Sequence, residues 1–224
     1  MTTPEVEVMA VVVPVHDEAD HLGSTLSSIA SASAAVDLPV LLVTVLDRCS
    51  DGSRLLVDQA ADRFPRTEIR VVEGDFATIG TVRNAGLRSV SHRWPHVPPH
   101  RIWTAHTDAD TRVPTHWLTE QAELAASGID LVIGTAVPDE PEGTPAHRLW
   151  WEQHNPAEGH TAIHGANLGI RMGSLMSIGG FADRTVSEDV ATVRRLQAAG
   201  VHWCATDRVR VITSARRTGR NLGG

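Results

Sequence analysis

Ile102-Trp103-Thr104-Ala105-His106-Thr107-Asp108-Ala109-Asp110 decides how this chain is read. The first six residues have the texture of a short strand, so two carboxylates stand where a strand runs out into a loop. Side chains two apart on an extended chain leave the same face. Asp108 and Asp110 can therefore both reach one hard cation or its waters. A divalent ion held by only one or two carboxylates keeps open positions, and diphosphate oxygens fill such positions. The competing reading is a pair of ordinary loop acids, and the rest of the chain has to choose between them.

Working outward, the segments on either side alternate. Upstream lie a strand over 8–13 stopped by Pro14, a helix over 20–32, a strand over 39–46, a helix over 53–63 capped by Asp51, a strand over 67–73 and a helix over 79–90. Downstream come a helix over 115–127 and a strand over 130–137. Strands apolar on both faces, alternating with helices, imply an α/β domain with a mainly parallel central sheet flanked by helices. From 138 to 163 the chain is rich in Pro, Gly, Glu and His and carries Trp150-Trp151, which fits a loop or helical flap over the sheet edge. Regular structure resumes at 164–171, followed by a helix over 172–178, the turn Gly179-Gly180, a helix over 188–199 and a strand over 209–213. Open sheets of this kind bind ligands at the carboxyl ends of their strands.

With 224 residues the chain can build one sizeable core. Its 42% hydrophobic and 21% charged residues are those of an ordinary globular protein. No apolar run is long enough to span a bilayer and the N-terminus lacks a signal-peptide pattern, so a cytoplasmic protein is expected. Cys49 and Cys204 fit neither a disulfide framework nor a paired zinc motif. A formal charge of −7 argues against nucleic acid or an anionic membrane as partner. Arg208, Arg210, Arg216, Arg217 and Arg220 make the end of the chain locally basic; they can grip phosphate or form a solvated tail.

Five more segments carry chemistry. In Val11–Asp20, Pro14 exposes backbone that can face a base or ribose, with His16 and Glu18 nearby; an ordinary strand-to-helix turn reads the same way. In Leu46–Ser53, Asp47 is placed to accept hydrogen bonds from a ligand. A calcium loop through Asp47, Asp51, Gly52 and Asp58 fails, because Cys49 takes the third ligand position and a strand precedes it. In Gly80–Gly86, Arg83 can meet a diphosphate or base, or sit on the helix surface. In Ser187–Val190, Ser187 can cap a helix whose acids serve its dipole, or one of those acids can deprotonate a hydroxyl. His164-Gly165-Ala166-Asn167 offers donors and a close backbone approach. His92, His96 and His100 recur every four residues, but Pro95, Pro98 and Pro99 break any helix there, leaving loop histidines.

In this order the motifs resemble those of the family 2 glycosyltransferases, which have the GT-A fold. Val-Pro-Val-His-Asp-Glu is similar to the first-strand signature, and Leu-Asp-Arg-Cys-Ser-Asp-Gly-Ser to the second-strand acidic turn. Arg-Asn-Ala-Gly, Asp-Ala-Asp-Thr, Gly-Ala-Asn, Ser-Glu-Asp and Thr213-Ser214-Ala215-Arg216-Arg217 follow, covering roughly residues 8 to 220. The resemblance implies a single domain over 1–224, with residues to about 110 binding nucleotide and the rest binding acceptor. It implies a UDP- or GDP-sugar pocket of Pro14, His16, Glu18, Asp47, Arg83, Asp108 and Ala109. Asp108 and Asp110 would hold Mn²⁺ or Mg²⁺, and Asp189 matches the catalytic base. Asn167 and Glu188 fall on the acceptor side. Trp150 and Trp151 are either an aromatic platform for the acceptor or packing residues, and Arg216 and Arg217 are candidate phosphate ligands. The acceptor hydroxyl would belong to a small soluble molecule or a lipid head group. The Gln-x-x-Arg-Trp motif of processive synthases is absent, so single transfers are expected. The chain ends soon after Arg217, so the acceptor side is expected to be open or completed in a homodimer. A nucleotidyltransferase needs a Gly-rich basic loop after strand one, where Val15–Asp20 is acidic, and no Gly-x-Gly-x-x-Gly suggests a dinucleotide oxidoreductase. A binding or scaffold protein that has lost catalysis is the non-enzymatic alternative, against which Asp110 and Asp189 speak.

Overall fold

β1 (Val8–Val15), β2 (Val40–Asp47), β3 (Glu68–Gly74) and β4 (Ile102–His106) run parallel in the order β3-β2-β1-β4. The computed structural model describes residues 5–154 and 156–215. α1 (Ala19–Ala35), α2 (Ser53–Arg63) and α3 (Ile79–Arg93) are the crossovers between these strands. β5 (Thr111–Arg112), α4 (Trp117–Ala126) and β6 (Leu131–Pro138) follow, then α5 (Pro145–Gln153) in the expected flap. β7 (Leu168–Arg171), α6 (Met172–Ser177), α7 (Glu188–Ala198) and β8 (Trp203–Thr213) complete the chain.

The sheet is mainly parallel, as expected, but not purely so, and the antiparallel pairs lie in its second half. Its order continues β4-β7-β6-β8-β5; β7 is antiparallel to both neighbours, β5 is antiparallel to β8, and β6 and β8 are parallel. The cause is the route of the chain. After β6 it makes the flap rather than a crossover helix over the sheet, and returns in the opposite direction as β7. Residues 164–167, where regular structure was expected, form the turn that leads into this strand.

Two local expectations also change. Pro14 does not stop β1; it pairs in register with Val45. Val12 accepts from the Thr107 N–H at 3.4 Å, so the even residues of β1 point their backbone groups at β4, and β4 ends opposite Val12. Pro14 therefore stands where no ladder donor is needed. Gly52, not Asp51, is the N-cap of α2. Asp51 instead accepts from Ser53 N and Ala19 N, both at 2.9 Å, tying the starts of α2 and α1 together.

Both faces of the sheet are covered. Leu22, Leu26, Leu42, Trp103 and Trp117 belong to the core beneath α1, α2 and α4. Val12, Val43, Val45, Val82 and Ala85 pack beneath α3, and Leu131, Ile133, Leu168, Phe181 and Leu196 around α6 and α7. Trp103 and Trp117 are fully buried, and each indole N–H finds an acceptor: Gln121 Oε1 at 2.8 Å and Asn167 Oδ1 at 2.9 Å. Among the described residues, no helix is long and apolar enough to cross a membrane. Cys49 and Cys204 are free thiols.

Candidate active site

Because β1, β2 and β4 are parallel, their carboxyl ends lie along one edge of the sheet and bring His16–Glu18, Asp47 and Asp108–Asp110 together. Because β7 is antiparallel, its amino end, residues 164–167, arrives at the same edge. Among the described residues only Asp17, Arg48 and Ser187 are non-glycine residues with positive φ, at 50°, 50° and 56°. Such conformations cost on the order of 1–3 kcal/mol each and persist where the surroundings hold them. At Asp17 the holding groups are visible. Its carboxylate accepts from Ser50 N at 2.6 Å and Asp51 N at 3.1 Å, and these bonds keep it below the usual carboxylate range. The loop after β1 is thereby locked to the loop after β2. His16 joins the same lock through Nδ1 and the carbonyl of Asp47, 2.6 Å apart.

Arg83 is the centre of the site, and its alternative as a surface helix residue is overturned: it is 1% exposed. A guanidinium is tolerated in such a place only if carboxylates and carbonyls take its hydrogens. Nη2 donates to Asp108 Oδ1 at 2.8 Å and to the Gly165 carbonyl at 3.2 Å, and Nε donates to Glu188 Oε1 at 3.2 Å. The ring of Phe181 lies 5.6 Å from the guanidinium carbon. Gly165 then turns its N–H to Asp189 Oδ2 at 2.7 Å, while Val190 N donates to Asp189 Oδ1 at 2.7 Å. One peptide segment thus links the acid at the end of β4 to the acids opening α7. Ser187 occupies the N-cap of α7 without a side-chain cap bond, correcting its expected role.

Gly165 is required for this closeness. A Cβ there would lie 2.8 Å from Arg83 Nη2, 3.4 Å from Asp189 Oδ2 and 3.5 Å from Glu188 Oε1. Gly165→Ala is therefore expected to destabilise the fold by about 1–3 kcal/mol, the usual cost of overpacking. Urea denaturation checks this; a variant within experimental error of wild type would show that the hub gives way freely.

The charges near Arg83 sum to a negative site. Burial outweighs the attraction of Arg83 and pushes the Glu188 carboxyl above its ordinary range. Burial likewise lowers His164. His106 is fully buried and held well below the ordinary histidine range by desolvation, then by the charge of Arg83. The Thr104 hydroxyl donates to the Ile170 carbonyl at 2.9 Å, so His106 Nε2, 3.1 Å from that hydroxyl, carries the ring proton. Both histidines are therefore neutral at pH 7, leaving Arg83 against Asp108, Asp189 and Glu188.

Asp108 is 42% exposed through its side chain. Asp110 receives the Thr213 hydroxyl at 3.4 Å and that of Thr111 at 3.5 Å, both long bonds to neutral groups. Ala109 between them is buried, and its carbonyl accepts from Thr25 at 2.8 Å. Among the described residues no three His, Cys, Asp or Glu side chains form a ready cage for an ion. Two carboxylates fit an ion that takes its remaining ligands from a bound diphosphate.

The remaining candidates separate. Pro14 and Glu18 are buried at the end of β1, where Glu18 N donates to Ser53 Oγ at 2.9 Å. Asn167, expected on the acceptor side, is 1% exposed and is held inside the sheet. Its amide donates to the carbonyls of Thr135 at 2.8 Å and Val209 at 2.7 Å, and its Oδ1 accepts from Trp117, so it latches β7 to its neighbours instead. Trp150 lies on α5 and stacks on His154 with centroids 4.6 Å apart. It lines a cleft of 410 Å³ with His160, Thr161 and His164. Trp151 is not among the lining residues and packs under Arg210, 5.2 Å from its ring. Arg208 pairs with Glu120 and Glu123 and Arg210 with Asp207. Arg216 and Arg217 lie outside the described residues.

The model of the family described as Glycosyl transferase family 2 matches residues 10–181. A comparison with curated proteins finds no match. Among solved structures, the mannosyltransferase PcManGT from Pyrobaculum calidifontis, in complex with GDP-Man and Mn²⁺, has a TM-score of 0.70 at 20% identity over 97% of this chain and 59% of that one. S. aureus TarS 1-349 with UDP-GlcNAc has a TM-score of 0.68 at 13% identity, covering 94% of this chain and 59% of that chain. GalNAc-T7 with UDP, GalNAc and Mn²⁺ has a TM-score of 0.69 at 12% identity, with 94% and 44% covered. At these identities the likeness shows the fold. The chain spans 59% of the length of the first two structures.

Proposed function

Because the chain belongs to glycosyltransferase family 2, we propose that it moves a sugar from a UDP- or GDP-linked donor to an acceptor hydroxyl, with inversion at the anomeric carbon. Residues to about 110 take the donor and the remainder takes the acceptor, a small soluble molecule or a lipid head group. Pro14, His16, Glu18 and Asp47 line the nucleoside side. Arg83 aligns Asp108 with the acids of α7 rather than touching the base. Trp150 and the cleft beside it offer an aromatic face to the acceptor. His164 lines that cleft and lies close enough to Asp189 to feel its charge.

In the reaction the acceptor oxygen forms a bond to the anomeric carbon as the bond from that carbon to the diphosphate oxygen breaks. The acceptor proton passes to a carboxylate oxygen of Asp189, which two backbone N–H groups hold in place and which keeps a lone pair for it. Asp108 and Asp110 would hold Mn²⁺ or Mg²⁺, which when bound neutralises charge gathering on the departing diphosphate. The observation that carries this reading is the link from Asp108 through Arg83 and Gly165 to Asp189, which joins a donor-side acid to an acceptor-side base. Release of UDP or GDP from a panel of sugar nucleotides, with and without Mn²⁺, tests it; a panel with no turnover would sink it.

The metal assignment has its own check. Asp110→Asn is expected to weaken Mn²⁺-dependent nucleotide binding by about 100-fold or more, beyond what loss of a supporting group costs. Unchanged Mn²⁺-dependent affinity by titration calorimetry would remove Asp110 from the metal site.

A further inference from the structure

The groups that border the 410 Å³ cleft beside Trp150 present lone pairs rather than hydrogens. His154 Nδ1 lies 2.9 Å from the Trp150 carbonyl, and His160 Nε2 lies 3.2 Å from the Ile133 carbonyl. A carbonyl only accepts, so each of these nitrogens carries the ring hydrogen. The other nitrogen of each neutral ring then offers a lone pair, and the backbone fixes both tautomers. Thr135, which also borders the cleft, donates its hydroxyl hydrogen to Asp207 Oδ1 at 2.6 Å and keeps lone pairs on its oxygen. His160 Nδ1 is buried without a partner in the protein. A buried polar atom left so is destabilising, and a ligand donor that reaches it relieves the penalty.

The charges around the cleft speak against an ionised ligand. Among the described residues that border it, none is Asp, Glu, Lys or Arg. Arg210 reaches the Pro156 carbonyl at 3.5 Å, but Asp207 already holds its guanidinium through two bonds. His164, on the lining, feels the charge of Asp189. A phosphate or carboxylate would therefore meet repulsion and no free cation, and an ammonium group finds no carboxylate in the lining. We infer that the acceptor is an uncharged polyol, a sugar or cyclitol with several hydroxyls, and that His154, His160 and Thr135 select it by accepting hydrogens from those hydroxyls. Trp150, stacked on His154, supplies the apolar face on which such a ring packs. The inference rests on the transferase reading above and narrows its acceptor to one class. A free sugar and the sugar head group of a lipid share this chemistry.

Titration calorimetry tests this on the intact protein loaded with Mn²⁺ and whichever of UDP and GDP it binds. The neutral probes are methyl glucoside, methyl mannoside and myo-inositol; the charged ones are glucose phosphate, mannose phosphate, inositol phosphate and glucuronate. At least one neutral probe is expected to bind about 10-fold or more tightly than its charged counterpart, the scale of a charge left without a partner. His154→Leu and His160→Leu are each expected to weaken that probe by about 3- to 10-fold, the worth of one hydrogen bond. Nucleotide affinity, measured on the same samples, is the control for folding. Octyl glucoside and octyl mannoside, kept below their micelle concentrations, separate the two sources. Affinity equal to that of the methyl glycoside marks a free sugar and tighter binding marks a lipid head group; either supports the polyol class. A charged probe that binds as well as the neutral one, unchanged affinity in both histidine variants, or no probe bound while nucleotide binds would overturn the inference and leave the donor side of the reading standing. Binding of neither UDP nor GDP would overturn the transferase reading itself and this inference with it.

Discussion

Asp189→Asn is expected to keep nucleotide affinity while transfer falls by about two to four orders of magnitude, the contribution of a positioned general base. The amide preserves the shape of the side chain and removes its basicity. It also forces a choice: an Asn that turns its oxygen to Gly165 N–H leaves its NH₂ against Val190 N–H, where the carboxylate now accepts from both. A small loss of stability, about 0.5–1.5 kcal/mol, should accompany the kinetic effect. Glu188→Gln should slow transfer less, because Glu188 faces Arg83 from a buried position rather than the acceptor side. Single-turnover transfer measured beside nucleotide affinity separates the two. Near-normal transfer by the Asp189 variant would pass the role of base to Glu188.

The second large effect belongs to Arg83→Met. Methionine fills much of the volume but leaves the Glu188 carboxylate, 8% exposed, without its cation. Removing one partner of a buried pair costs about 3–5 kcal/mol, a large part of the stability of an ordinary domain. Asp108 adds little to that figure because it reaches solvent. The penalty should depend on pH with a definite sign. Glu188 is already raised in the folded protein by burial, and without Arg83 it rises further. A carboxyl raised on folding stabilises the fold when protonated and loses that contribution as pH rises through its folded value. The deficit of the variant should therefore shrink as pH falls from 7 towards 5. Urea denaturation at both pH values checks this. A pH-independent deficit would mean that packing, not charge, is what Arg83 supplies.

Much of the first half of the fold was legible because its strands are apolar on both faces and alternate regularly with helices. The alternation names β1 to β4 nearly to the residue. Pro14 misleads because its meaning depends on where β4 ends, a fact held about 90 residues away in the chain. The direction of β7 depends on how the flap returns, and no periodicity within residues 164–171 records that. The site shows the same division. Asp47, Asp108, Asp110 and Asp189 stand at element ends, where a carboxylate in the sequence is informative. Asn167 sits in a motif of the same appearance, yet Trp117, Thr135 and Val209 bury it. Phe181 and the linking role of Gly165 went unread, although a glycine beside a histidine before a buried strand was a signal of close backbone approach.

The late position of β7 in the chain bears on how the molecule comes into being. During synthesis β4 and β6 emerge before the strand that lies between them, so each waits with an open edge bordered by Trp103, Leu131 and Ile133. Unpaired apolar edges recruit other chains, and pairings so distant in sequence form slowly. The strand that covers these two edges is the one that brings Gly165 beside Arg83, so the nascent chain completes its hub only when this gap in the sheet is filled.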